Sequence, residues 1–120
     1  MNAIMDTNAL MIPGQFGVDV FSELEKLDYH RFIVPKQVVC ELKMLCKKGG
    51  NKVAASLALS LLDRCEVIDA EGETDDAIIQ IAEDMNAAVV TSDAELRKRL
   101  KDKGITTIYL RQKKRLEKNV

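Results

Sequence analysis

A chain of 120 residues with 47% apolar and 31% charged side chains and a net charge of −1 has material for one core but not two, and its composition excludes long disordered tracts. The longest nearly apolar run, residues 53–62, is interrupted by Ser56 and Ser60 and reaches about half the length of a bilayer span; the start lacks the charged head and apolar stretch of a secretory signal, so a cytoplasmic protein off the membrane is expected. The small net charge conceals an asymmetry: residues 1–96 carry 8 basic and 17 acidic side chains, and residues 97–120 carry 10 basic and 2 acidic, a pattern that points to a polyanion partner beside an acidic centre.

Asn2 to Met5 predicts a short central parallel strand that ends on the carboxylate of Asp6. Pro13, Gly14 and Gly17 mark a loop, so no helix is expected to start at Asp6. Asp19 opens a helix with Val20, Phe21, Leu24 and Leu27 inward. Arg31 to Val34 predicts a second strand, stopped by Pro35, which begins a helix running to about Lys47. Val38, Val39, Leu42 and Leu45 form its buried stripe. Glu41 falls at the flank of that stripe, where a surface acid is out of place.

Gly49-Gly50 closes this helix, and Asn51 is placed to cap the next, Lys52 to about Arg64. Cys65 to Ile68 is a third strand, and Thr74 is a good cap for a helix from Asp75 to Met85. Ala87 to Thr91 is a fourth strand. Ser92 or Asp93 caps a last amphipathic helix with Leu96 and Leu100 inward and Arg97, Lys98, Arg99, Lys101 and Lys103 outward, ended by Gly104. Ile105 to Leu110 is a fifth strand, and residues 111–120 form a basic, partly helical tail.

Strands alternating with helices at these spacings predict a three-layer α/β/α sandwich around a mostly parallel five-stranded sheet, as one domain over residues 1–120. Three cysteines, Cys40, Cys46 and Cys65, lack C-x-x-C spacing and read as free, mostly buried thiols. A single histidine, His30, leaves no basis for a His-based zinc site or a Ser/His nucleophile.

In such a sheet every strand-to-helix loop lies on one edge. Asp6, Asp75, Asp76 and Asp93 therefore arrive together, and Glu41 leans into the same place. Left bare, these acids would raise one another's pKa values. Hard divalent cations with oxygen ligands, Mg2+ or Mn2+, relieve that repulsion, and such ions serve phosphodiester hydrolysis. A dinucleotide site would want a Gly-rich turn after the first strand, where the chain has Thr7-Asn8-Ala9.

Asp6-Thr7-Asn8, Pro35 with Glu41 on the following helix, Asp76-Ala77-Ile78-Ile79 and Val89-Val90-Thr91-Ser92-Asp93 fall in the order and spacing of PIN domains, and the chain resembles that family over essentially its whole length. The segments Thr74 to Asp76 and Asp93 to Leu100 are similar to archaeal PIN proteins akin to eukaryotic pre-ribosomal RNA processing nucleases; similar short chains are labelled VapC-type toxins. The resemblance implies a PIN-like fold and a metal-dependent endoribonuclease, often dimeric. Asp6, Glu41, Asp76 and Asp93 match the acidic quartet that would act in catalysis and hold Mg2+ or Mn2+, with Asp75 as the substitute for Asp76 and Glu95 as a weaker ligand. Asn8, Thr91 and Ser92 match supporting polar groups.

RNA is then expected along Arg97, Lys98, Arg99, Lys101, Lys113, Lys114 and Arg115. The other partners implied are a second copy of the chain, an antitoxin protein or a ribosomal precursor particle, and Leu10, Met11, Ile12 and Phe16 are the expected apolar contacts of a homodimer. The rival reading is a catalytically inactive PIN scaffold that binds RNA or protein. The intact set of acids favours the enzyme.

Overall fold

Parallel pairing begins at the first residues of the chain. In the computed structural model, which describes residues 1–119, β1 (Asn2–Met5) lies between β2 (Arg31–Pro35) and β4 (Ala88–Val90), with Ile4 opposite both Ile33 and Val89. With β3 (Glu66–Ile68), β5 (Thr107–Arg111) and β6 (Arg115–Asn119), the sheet has the order β3-β2-β1-β4-β5-β6. All pairs are parallel except β5 with β6.

Alternation along β1 assigns its side chains to two layers. Ala3 and Met5 enter one core with Leu10, Phe21, Leu24, Val38 and Leu42. Ile4 enters the other, with Ile33, Ile78, Val89, Leu96 and Leu100. The first layer holds α1 (Thr7–Phe16), α2 (Val20–Lys26), α3 (Lys36–Lys47) and α4 (Lys52–Ser60); the second holds α5 (Thr74–Met85) and α6 (Ala94–Asp102). No helix among the described residues is long and apolar enough to cross a membrane.

The expected α/β/α sandwich is present, but with six strands instead of five. The sixth comes from the basic segment expected to be partly helical, whose last residue, Val120, lies outside the described residues. A turn with Gln112 and Lys113 at φ 54° and 57° reverses the chain, and Leu116 is buried while its N–H donates to Glu23 Oε1 at 3.2 Å. Such a turn ordinarily advertises itself as Asn-Gly or Asp-Gly; Gln-Lys carries no such signal.

The expected loop after β1 is instead α1, with Pro13 and Gly14 inside it. Gly14 is required there by close approach: a Cβ on it would stand 2.5 Å from Ala54 Cα of α4. Gly17, in the left-handed region, ends the helix with its N–H donated to Pro13 O at 3.0 Å. Because α1 packs on the sheet, Leu10, Met11 and Ile12 are buried and cannot form a surface contact; only Phe16 of that set is exposed. Asn51 makes no capping bond, and α4 gives way to a 3₁₀ turn at Leu61–Arg64. The three cysteines are free, as expected, but Cys40 is exposed and the other two only half-buried.

Candidate active site

Strand order reverses at β1, since β2 and β3 extend the sheet to one side while β4 and β5 extend it to the other. Crevices at such switch points, beyond the carboxyl ends of the strands, are where open α/β sheets bind ligands. Asp6 follows β1 and Asp93 follows β4, so the two acids flank this crevice. A cleft of about 270 Å³ is lined by Asp6, Thr7, Asn8, Glu41, Leu45, Thr74, Asp75 and Asp93. A second cavity of about 450 Å³ shares the wall of Glu41, Thr74 and Asp75 and adds Gln37, Glu73, Asp76 and Arg99.

Asp6 is only 6% exposed. Its N–H donates to Val90 O at 3.3 Å, which keeps it in the sheet, and its Oδ1 accepts from Ala9 N at 2.7 Å, which makes it the cap of α1. Burial pushes its pKa up to about 6, while the Thr91 hydroxyl and the Ala9 N–H pull the other way and the charges of Asp75 and Asp93 add a further rise. Asp93 caps α6, its Oδ1 accepting from Leu96 N at 3.0 Å. The buried Thr91 Oγ1 accepts the Asp93 N–H at 3.1 Å, so it orients the turn that carries Asp93.

Glu41, half-buried on α3, accepts one hydroxyl on each oxygen: Thr7 Oγ1 donates to Oε1 at 3.2 Å and Thr74 Oγ1 to Oε2 at 2.9 Å. Thr74 therefore does not cap α5; Glu73 occupies the cap position and Thr74 is the first helical residue. Asp75 has its pKa raised by burial first and by Asp93 second, with Arg99 opposing and Glu41 and Asp76 adding.

The structure brings Asp6, Glu41, Asp75 and Asp93 to one cleft and turns Asp76 out of it. Asp76 Oδ1 accepts from Arg99 Nη2 at 2.7 Å, and the side chain lines the second cavity and a further one of about 510 Å³ with Ile68, Asp69 and Asp84. One residue along a helix is about 100° of rotation; Asp75 and Asp76 both line the second cavity, and of the two only Asp75 also reaches the cleft of Asp6 and Asp93. Glu95 and Ser92 are exposed and do not line the cleft, whereas Asn8 does. Thr7, read only as part of Asp6-Thr7-Asn8, and Thr74, expected only as a helix cap, are cleft residues that the sequence reading missed. The available signal was their position, each next in the chain to a cleft aspartate.

Of the basic residues, Arg97 stacks over the Tyr109 ring at 4.3 Å, Arg99 holds Asp76, and Arg111 and Arg115 both pair with Glu117. Lys98, Lys101 and Lys114 are exposed with no ion pair among the described residues; Lys113, also exposed, has its Nζ 5.9 Å from the Phe16 ring centroid.

As a metal site the donor set is all oxygen, which suits a hard cation. Among the described residues no three acids are gathered closely enough to form a ready-made cage. Carboxylate and hydroxyl oxygens of this kind suit a hard divalent cation whose remaining positions are filled by water.

A family model described as a PIN-like domain matches residues 3–113. Ribonuclease VapC9 of Archaeoglobus fulgidus is 37% identical to this chain over 116 residues, covering 95% of it and 86% of its own length. Ribonuclease VapC4 of Methanocaldococcus jannaschii is 30% identical over 122 residues, covering 95% and 93%. Among solved structures, the PIN domain endonuclease Utp24 matches with a TM-score of 0.80 at 25% identity over 99% of this chain and 92% of that one.

Proposed function

The chain belongs to the PIN-like domain family, and on that premise we propose that it is a divalent-ion-dependent endoribonuclease whose working acids are Asp6, Glu41, Asp75 and Asp93. One observation carries this reading: four carboxylates from separate segments line one cleft at the switch point of the sheet, and the ion pairs among the described residues leave all four without a basic partner. Among the described residues an arginine pairs with the neighbouring Asp76, and Arg99 acts on Asp75 through its charge without an ion pair to it. Two relatives that bear the name ribonuclease support RNA as the substrate.

Asp6 supplies the deepest carboxylate. Its ionised form is costly in so buried a position, and a cation beside it would offset that cost. When bound, Mg2+ or Mn2+ supplies an activated water and neutralises charge that builds on the scissile phosphate. The residues of the chain hold the cleft acids in place: the Ala9 N–H fixes Asp6, the Leu96 N–H fixes Asp93, and Thr91 fixes the turn between β4 and α6. Lys98, Lys101, Lys113 and Lys114 offer charge for the phosphates of the RNA strand. Both ribonuclease relatives are VapC proteins, which favours a toxin-type role with a small antitoxin partner over pre-ribosomal processing.

The test is incubation of the purified protein with structured and unstructured RNA in Mg2+, Mn2+ or chelator. Cleavage is expected with the ions, absent in chelator and absent for Asp6→Asn. Full cleavage in chelator, or by Asp6→Asn, would sink the assignment.

A further inference from the structure

We propose that Thr7 and Thr74 form a brace that positions Glu41 for the cleft, each hydroxyl holding one carboxylate oxygen and each threonine joining Glu41 to a neighbouring aspartate. The inference rests on the reading of Glu41 as a working acid given above and goes beyond it, since Thr7 and Thr74 fall within segments that carry the resemblance but are given no role by it.

Glu41 differs from the other cleft acids in how it is held. Asp6 and Asp93 are short side chains, each locked to a backbone N–H of the helix it begins. Glu41 stands in the interior of α3, where no free backbone N–H is within reach, on a longer side chain with more rotamers. Unheld, it would swing away from the like charges of Asp6, Asp75 and Asp93. The two hydroxyls prevent that: Thr7 Oγ1 lies 3.2 Å from Oε1 and Thr74 Oγ1 2.9 Å from Oε2. Threonine suits the task because its short side chain, with one χ1 limited by branching at Cβ, carries the donor on a helix start with few alternatives open to it. Each carboxylate oxygen also keeps lone-pair capacity after accepting one hydroxyl, and Glu41 remains open to an ion or to water.

Chain position extends the brace to the rest of the cleft. Thr7 directly follows Asp6 at the start of α1, and Thr74 directly precedes Asp75 at the start of α5. Through Glu41 the starts of α1 and α5 are tied to the middle of α3, so three elements that carry three of the four acids share one hydrogen-bonded junction. Partners of this kind tune a metal site although they touch no metal.

The experiment compares Thr7→Val, Thr74→Val and the matching serine variants with the wild type, measuring Mn2+ binding by calorimetry, the Mn2+ dependence of RNA cleavage and the thermal midpoint. Valine keeps the shape and removes the donor; serine keeps the donor. Each valine variant is expected to weaken Mn2+ binding roughly tenfold and to raise by a similar factor the Mn2+ needed for half-maximal cleavage, with serine returning both to within about twofold of wild type. Should a valine variant not fold, the alanine variant removes the same donor at less steric risk. Valine variants that bind Mn2+ like the wild type, or serine variants as impaired as valine, would overturn the brace. If RNA is not cleaved while the valine variants still bind Mn2+ more weakly than wild type, the brace stands and the nuclease reading falls.

Discussion

Arg99 Nη2 donates to Asp76 Oδ1 at 2.7 Å, whereas its neighbour Asp75 makes no ion pair among the described residues and lines the cleft with Asp6, Glu41 and Asp93. Two acids adjacent in the chain thus have different fates. Arg99 responds to both, its pKa raised first by the bond to Asp76 and also by the charge of Asp75, but the contact itself belongs to Asp76.

The first prediction follows. Asp75→Asn should lower kcat/KM for RNA by a factor on the order of 100 or more, the scale on which loss of one preorganised charge in a site is felt. Asp76→Asn should leave the rate within a few-fold and scarcely move the thermal midpoint, because an exposed ion pair contributes little to stability. Steady-state cleavage by the two variants decides between them. The opposite ranking would return Asp76 to the cleft and require Arg99 to release it on binding.

A second prediction concerns Asp6 and pH. Its pKa in the folded protein, about 6, lies above the ordinary 3.8, so the folded state binds the proton more tightly than the unfolded state. Without metal, stability from this group is fully present below about pH 4, falls as pH rises toward 6 and is lost above it. The difference amounts to roughly 3 kcal/mol at most. Asp6→Asn removes the titration while asparagine retains the cap to Ala9 N. In chelator at pH 7 the variant should therefore unfold at higher urea than wild type, and the gap should close by pH 4, while cleavage is lost. Equal stability at pH 7 would show that the cost of the buried charge is not real.

How much of this was legible in the sequence depended on whether the signal was local. Val89 to Asp93 announces a strand and a capped helix, and Asp93 does cap α6. Asp6 was legible as the acid after the first strand, yet its capping role was hidden because Pro13 and Gly14 argue against a helix and only the contact with Ala54 of α4 accounts for the glycine. β6 was illegible for a related reason, since one buried residue, Leu116, among Arg115, Glu117 and Lys118 gives no alternation to read. The orientation of Asp75 against Asp76 depends on helix phase. What separates the two is the contact of Asp76 with Arg99 on α6, a long-range pairing that helix periodicity does not display.

The last prediction separates the basic residues by what already neutralises them. Salt dependence of RNA binding counts the phosphates whose counterions are displaced, at a slope of about 0.7 per contact on a single strand. A cation that is ion-paired within the protein has less charge to offer. Arg115, paired with Glu117 at 3.3 Å, and Arg99, paired with Asp76, should therefore contribute less than the lysines. Lys113 and Lys114 stand on the turn between β5 and β6, and the carboxyl end of β5 lies on the same edge of the sheet as Asp6 and Asp93. The proposed RNA track runs from the cleft along this edge to that turn. In an Asp6→Asn background, where binding is read without cleavage, Lys113→Gln with Lys114→Gln should weaken binding and lower the salt slope by one to two contacts, or about 0.7 to 1.4. Arg115→Gln in the same background should change the slope by less than a single contact. If the arginine substitution flattens the slope and the lysine pair leaves it unchanged, the strand does not follow this turn and the RNA track must be sought along α6 alone.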